Sequence, residues 1–258
     1  MIYVITHKIF ADETLDKDIY AILHVGLNSN CKSSYLRDDC GDNISYKKAN
    51  YCEVTGLYCI WKNVEDPSET LTGINHYRRY FSTMPNYIRY TYFKGDPIIL
   101  SQNKIEKALR KYDIIMPKKL KAFRKVKDIY AFEHCGEDIS LLRKAIESVA
   151  PEFLGDYDRF MNSNSYWYAN MMICKKIYFD EYCKWLFSVL DVLEPDIRLE
   201  KYPDAYQRRV FGFLAERLLN VWVIHKRLSV KEYPIINTEQ RDETFIQQEV
   251  SRLKRIMK

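Results

Sequence analysis

The period of apolar and polar positions changes several times along the chain, and each change predicts an element. Ile2-Tyr3-Val4-Ile5-Thr6 is a short apolar run of the kind a buried strand needs, and Tyr20–Gly26 repeats it before a polar stretch from Asn28 to Asp42. Tyr51, Val54, Tyr58 and Trp61 then recur at helical spacing, with Asn50 placed as a cap and Glu53 three residues on, as in a capping box. Leu71–Phe81 predicts a further strand, loaded with His and Arg. Ile105, Ala108, Leu109 and Tyr112 mark a helix leading into the strand Asp113–Met116, which Pro117 stops. A helix near Ile139–Val149 ends before Pro151, and Tyr166–Cys174 is another strand. Phe179, Tyr182, Leu186, Val189 and Leu193 predict a long amphipathic helix; Val210, Leu214, Leu218 and Val221 predict a second. In the tail, Ile246, Val250, Leu253 and Met257 share a stripe flanked by Arg252, Lys254, Arg255 and Lys258.

Strands alternating with helices predict an α/β layer architecture, a single domain with a helical C-terminal part and no internal repeat or Gly/Ser linker. An apolar share of 47% with 21 Tyr is enough for a sizeable core. The net charge of +5 is mild. A nucleic-acid module shows stronger and more concentrated basic charge, so no nucleic-acid partner is expected. Seven scattered Cys, without a CxxC pair, speak against a disulfide framework or a structural zinc site and for a reducing, cytoplasmic compartment. No signal peptide is visible, and no segment reaches the ~20 apolar residues of a membrane span. The chain is expected to be soluble or peripheral.

Several segments carry chemistry-bearing residues. Arg37-Asp38-Asp39-Cys40-Gly41-Asp42-Asn43-Ile44-Ser45 can hold ribose or base edges, although an Asx turn is the commoner use of such residues. In Gly73-Ile74-Asn75-His76-Tyr77-Arg78-Arg79-Tyr80-Phe81, strand alternation puts His76, Arg78 and Tyr80 on one face and Tyr77, Arg79 and Phe81 on the other. Such Arg residues require carboxylate or phosphate partners, and internal acids serve as well as a ligand. Lys118–Lys127 reads as a solvated loop, with attraction to a diphosphate or to anionic lipid as the alternative. His134, beside Glu133, Glu137 and Asp138, offers general-base or sugar-binding chemistry, or simply caps a helix. Asn170 can present an amide to a sugar hydroxyl. Glu216, inside an apolar helix, needs a partner such as Arg209, Arg217 or substrate. GxGxxG, Walker, HExxH and GxSxG patterns are absent; an isolated Asp-x-Asp occurs at Asp16–Asp18.

Taken in order, Arg37–Ser45, then Tyr51-Cys52-Glu53-Val54-Thr55-x-Leu57-Tyr58-x-x-Trp61-Lys62-Asn63, then Gly73-x-x-His76-Tyr77-Arg78-Arg79-Tyr80-Phe81 resemble the bacterial domain-of-unknown-function family numbered 4422. Asn170–Ile173 and Arg209–Leu218 resemble its C-terminal half, so the resemblance covers about residues 2–235. The chain departs from the family pattern at Cys40, at Lys48-Ala49 in place of an Asn-Pro pair, and at Cys59.

The resemblance implies a GT-A-like (Rossmann-like) domain over residues 1–235, with a central mixed sheet flanked by helices, followed by a basic amphipathic helical tail over 236–258. The family is associated with capsule, exopolysaccharide and O-antigen gene clusters. The implied activity is transfer of a hexose, galactofuranose from UDP-galactofuranose in some members, onto a polyprenyl-diphosphate-linked or oligosaccharide acceptor at the inner membrane face. A galactopyranosyl- or other hexosyltransferase, or a noncatalytic carbohydrate- or phosphate-binding scaffold, are the rival functions. Asp42 and Asn43, and less strongly Asp38 and Asp39, are expected at the nucleotide. His76, Arg78 and Arg79 stand where GT-A enzymes usually carry a metal-binding Asp-x-Asp, so fixed cations are expected to replace the metal and no cofactor is expected. Asn170 and Arg209 are expected at the sugar or acceptor, and Glu216, Asp138 or His134 as the base. The tail and the Lys118–Lys127 run are expected to meet an anionic membrane.

Overall fold

The computed structural model describes residues 1–13, 15–27, 31–68, 70–84 and 99–239. Strand β1 (Ile2–Thr6) is buried at every position because it lies between two parallel neighbours, β2 (Tyr20–His24) and β4 (Leu71–His76). Among the described residues the sheet runs β10 (Val230–Tyr233), β6 (Ile114–Pro117), β9 (Met172–Lys175), β4, β1, β2, β3 (Leu36–Arg37). β9 is antiparallel to both β4 and β6, which makes the sheet mixed. A branch leaves the central strand β4, where β5 (Arg79–Phe81) meets it at His76 and Arg79 and pairs on its other side with β11 (Ile235–Asn237).

Alternation along β1 splits the core in two. Tyr3 and Ile5 join Ile74 against a helical layer formed by α2 (Val54–Asn63), α5 (Glu137–Val149), α6 (Leu154–Met161), α7 (Lys176–Leu193) and α8 (Val210–His225). Ile2 and Val4 face the other way, onto Tyr80, Phe81, Ile236 and the buried side of α3 (Gln102–Leu109). α7 and α8 bury the residues their spacing predicts: Phe179, Tyr182, Leu186, Val189 and Leu193 on one, Val210, Leu214, Leu218 and Val221 on the other. The architecture is the expected α/β fold, a mixed sheet flanked by helices.

Three expected elements are cut differently. Leu71–Phe81 is two antiparallel strands joined by a turn at Tyr77-Arg78, so the predicted two-face alternation of His76, Arg78 and Arg79 does not hold. The helix expected from Asn50 is broken: α1 (Lys48–Tyr51) ends at Cys52, whose φ of 57° leaves the helical region, and α2 restarts at Val54. Asn50 therefore caps nothing and donates to the Arg208 carbonyl at 2.9 Å. Tyr166–Cys174 divides into β8 (Ser165–Tyr166) and β9, with Ala169 at φ 65° between them. β8 pairs instead with β7 (Leu120–Lys121) inside the basic run. The boundary drawn at 235 falls within β11, and the stripe Ile246–Met257 lies outside the described residues. All seven cysteines are free thiols, and no helix among the described residues is long and apolar enough to cross a membrane.

Candidate functional site

Because β1, β2 and β4 are parallel, their C-terminal ends share one edge of the sheet, the place where open α/β sheets take ligands. A cavity of about 390 Å³ opens there. Its sheet side is Thr6 and His7 after β1, Val25 after β2, and His76, Tyr77, Arg78 and Arg79 around the turn that ends β4. Its helical side is Lys48 at the start of α1, Cys52 and Glu53 at the α1–α2 break, Arg209 as the residue before α8, and Gly212, Phe213 and Glu216 on its first turns. A larger, about 550 Å³ cavity lies at the opposite end of the strands, beside Met1 and Leu71. Asp18 of the Asp-x-Asp lines that far cavity, so this motif is not at the cationic edge.

The breaks in the secondary structure are what bring the charges together. The tight Tyr77-Arg78 turn puts His76, Arg78 and Arg79 on one wall, where a continuous strand would have separated them. The left-handed Cys52 swings Glu53 across to the β8–β9 connection, where the Asn170 amide donates to its carboxylate at 2.8 Å. The same amide group reaches the Gly212 carbonyl at 3.3 Å, which ties α8 to the break. Arg209 donates from Nε to the Cys52 thiol sulfur at 2.9 Å, completing the corner.

Four cations (Lys48, Arg78, Arg79, Arg209) face two carboxylates (Glu53, Glu216) in this cavity. Among the described residues Lys48, Arg79 and Arg209 have no ion-pair partner, Arg78 pairs with Glu239 at 3.1 Å, and Glu216 contacts Arg217 at 3.2 Å. The two histidines register the positive field. Burial, then Arg79, Arg78 and Arg209, push the His76 imidazole down to about 3, so it is neutral near pH 7. Its Nε2 is buried and has no hydrogen-bond partner among the described residues. Burial, then Lys48, Lys8, Arg209 and Arg78, also lower His7. Burial pushes the Glu216 carboxyl above its ordinary 4.5, opposed by Arg217 and Arg79 and reinforced by Glu53. The assembled groups can neutralise an anion on the sheet side and accept a proton on the helical side.

Of the residues the sequence singles out, this cavity gathers His76, Arg78, Arg79, Arg209 and Glu216. Asn170 stands behind the wall as the clamp on Glu53. The structure places the others outside this cavity. Asp38 is fully buried, and accepts from the Gly26 amide at 2.8 Å and the Thr55 hydroxyl at 2.6 Å, which holds the loop after β2. Asp39 pairs with Arg37. Asp42 accepts from the Tyr58 hydroxyl at 3.0 Å, and Asn43 folds onto its own turn through the Gly41 carbonyl and Ser45. Neither Asp42 nor Asn43 lines the cavity. Asp138 is buried and accepts from the hydroxyls of Tyr130 and Tyr202 at 2.9 and 2.7 Å. His134 lies outside the wall, stacked on Phe213 at 3.9 Å with Nδ1 3.0 Å from the Gln207 amide oxygen.

Lys48, Glu53 and His7 are the cavity residues that sequence reasoning missed. Glu53 carries a helix-capping signature, and nothing in local spacing marks a partner 117 residues away. Lys48 does carry a signal, since it is one of the positions where the chain departs from the family pattern.

The family model for the domain of unknown function DUF4422 matches residues 1–227. Comparison with curated proteins finds no match. Among solved structures, the chain is similar to one described as the apo structure of WbbM, a bifunctional glycosyltransferase, with a TM-score of 0.78 and 31% sequence identity over 92% of this chain. The chain spans 45% of the length of that protein. The similarity extends to the mixed sheet and its flanking helices.

Proposed function

The chain belongs to the DUF4422 family, and we propose that it is a glycosyltransferase that uses its own cations in place of a metal to hold a sugar-nucleotide diphosphate. The observation that carries this reading is the cavity at the ends of β1, β2 and β4, where Lys48, Arg79 and Arg209 have no ion-pair partner among the described residues and Glu216 stands opposite. The similarity to a bifunctional glycosyltransferase supports it. The donor we assign is a UDP-hexose, with UDP-galactofuranose the first to try, and the acceptor a lipid-linked or oligosaccharide hydroxyl of surface-polysaccharide synthesis.

In the proposed reaction the bond between the anomeric carbon and the diphosphate oxygen breaks, and a bond from that carbon to the acceptor oxygen forms. Negative charge grows on the departing diphosphate, where Arg78, Arg79, Arg209 and Lys48 stabilise it. Such preorganised stabilisation supplies on the order of 10²–10³ in rate per lost group. Glu216 takes the proton of the acceptor hydroxyl. Burial raises its carboxyl pKa, which makes it a stronger base than a solvated carboxylate. Glu53, fixed by Asn170, is placed to accept hydrogen bonds from sugar hydroxyls.

Saturation-transfer NMR against UDP, UDP-galactose and UDP-galactofuranose, first in EDTA and then with manganese, tests the assignment. Binding of a UDP-sugar in EDTA, lost in Arg79→Ala, is the expected result. Turnover that requires manganese, or full turnover in Arg79→Ala, refutes the cation mechanism. Sugar-nucleotide binding without any transfer turns the assignment toward a carbohydrate-binding scaffold.

A further inference from the structure

Beside the cavity, the chain between Lys118 and Phe132 breaks the usual rule for large apolar side chains. Phe123 is 78% exposed and Phe132 65%. Neither is on a slack loop. Ala122 and Val126, which bracket Phe123, are buried, and their amides donate to the carbonyls of Asn164 and Ser163 at 2.7 and 2.8 Å. The segment is thus pinned on both sides and Phe123 is held outward. On helix α4 (Val126–Glu133), Val126, Ile129 and Tyr130 face the core while Phe132 faces solvent. The Arg124 guanidinium, next in sequence to Phe123, lies 5.1 Å from the centre of the Phe132 ring.

Around these rings stand Lys118, Lys119, Lys121, Arg124 and Lys125, all exposed and without an ion pair among the described residues. Lys119 also covers the Trp167 ring at 3.8 Å. Asp128 is the one acid between residues 118 and 132. Apolar rings projecting through a rim of long basic side chains match a bilayer interface, where the rings enter the acyl boundary and the cations meet lipid phosphates. We infer that this face, formed by β7, the loop after it and α4, docks the protein on an anionic lipid surface. It borders the cavity: His134, just past the end of α4, stacks on Phe213 of the cavity wall. A lipid-borne substrate would enter from the surface on which the protein rests. Binding of the surface itself does not depend on the transferase assignment.

The test is sedimentation of the full chain with vesicles of equal parts phosphatidylglycerol and phosphatidylcholine, against pure phosphatidylcholine, at low and high salt. The expected result is binding to the anionic vesicles that weakens with salt. Lys121→Gln with Arg124→Gln and Lys125→Gln should lower affinity on the order of 100-fold, at roughly fivefold per cation. Phe123→Ser with Phe132→Ser should lower it at least about tenfold through lost apolar burial. Both variants change exposed positions, so NMR binding of the UDP-sugar should persist and report an intact fold. No binding by the wild type, equal binding to neutral vesicles, or wild-type binding by both variants overturns the inference. So does tighter binding of single-stranded DNA through the same residues, or a dimer that buries this face.

Discussion

Asp38 separates a nucleotide contact from a structural clamp, because the two roles predict opposite results for one substitution. Its carboxylate is inaccessible and accepts from Gly26 and Thr55. Thr55 can turn its hydroxyl to the Cys52 carbonyl, 3.2 Å away, so Asp38→Ala leaves chiefly the Gly26 amide without an acceptor. A hydrogen bond to a charged group contributes about 1.5–3 kcal/mol, and an orphaned buried donor costs about 1–3 kcal/mol. Release of the buried charge offsets part of this, because burial raises the Asp38 carboxyl above 3.8 against the opposing effect of its two donors. The net expectation is a loss of about 3 kcal/mol, or roughly 6–12 °C in Tm for a chain of this size. Asp38→Asn keeps one acceptor oxygen and should fall between. Since the folded-state pKa is raised, the wild type's advantage over Asp38→Asn is complete below the unfolded pKa near 3.8 and shrinks as pH rises through the folded value. Thermal unfolding followed by circular dichroism, beside NMR binding of UDP, makes the measurement. Wild-type Tm in Asp38→Ala with lost UDP binding would refute the clamp and return Asp38 to the nucleotide.

Other substitutions probe the cavity and its surroundings. If Glu216 is the base, the acid limb of the rate–pH profile is its titration, and Glu53→Gln should move that limb to lower pH by removing a charge that raises Glu216; a limb that stays or rises rules this out. Glu216→Gln should lower turnover about 10²–10⁴-fold while UDP binding persists, checked by kinetics beside NMR. Gly41→Ala would place a Cβ 2.1 Å from the Asn63 side-chain oxygen at a φ of 63°, so Tm should fall while donor affinity stays unchanged. Weakened donor affinity at unchanged Tm would show that the Asp42–Asn43 turn meets the nucleotide after all.

The fold was legible wherever one local period decided an element. β1, α7 and α8 are such cases, each with an unbroken pattern and a single buried environment. It was illegible where a distant partner decided it. Tyr77 and Arg78 carry no Gly, Pro or Asn to mark a turn; what bends the chain there is pairing of β5 with β11, a strand far along the sequence that no alternation announced. Asn50 and Glu53 satisfy the capping pattern, yet Cys52 takes a left-handed conformation and Glu53 is drawn to Asn170. The short helices α4 and α6 and the strands β10 and β11 are too brief for periodicity to single out.

For the site, the useful sequence signal was charge in apolar surroundings, and that signal does not distinguish a ligand-binding group from a structural one. Arg79 and Glu216 show it, while Asp38 stands out in a turn-like polar segment and Asp138 among the acids near His134. The distinction comes from accounting for partners in three dimensions. Asp38 and Asp138 have their oxygens occupied by donors from the chain itself, two apiece, and a ligand would have to displace them. Among the described residues Arg79 has no such partner, Lys48 and Arg209 have no carboxylate, and the buried Nε2 of His76 has no hydrogen-bond partner. An unpaired charge or buried polar atom costs stability unless something answers it, so a fold that leaves several around one cavity carries a cost that a bound anion would offset. This accounting is why we propose the cavity at the ends of β1, β2 and β4 as the site, with the Asp38–Asn43 segment as its support.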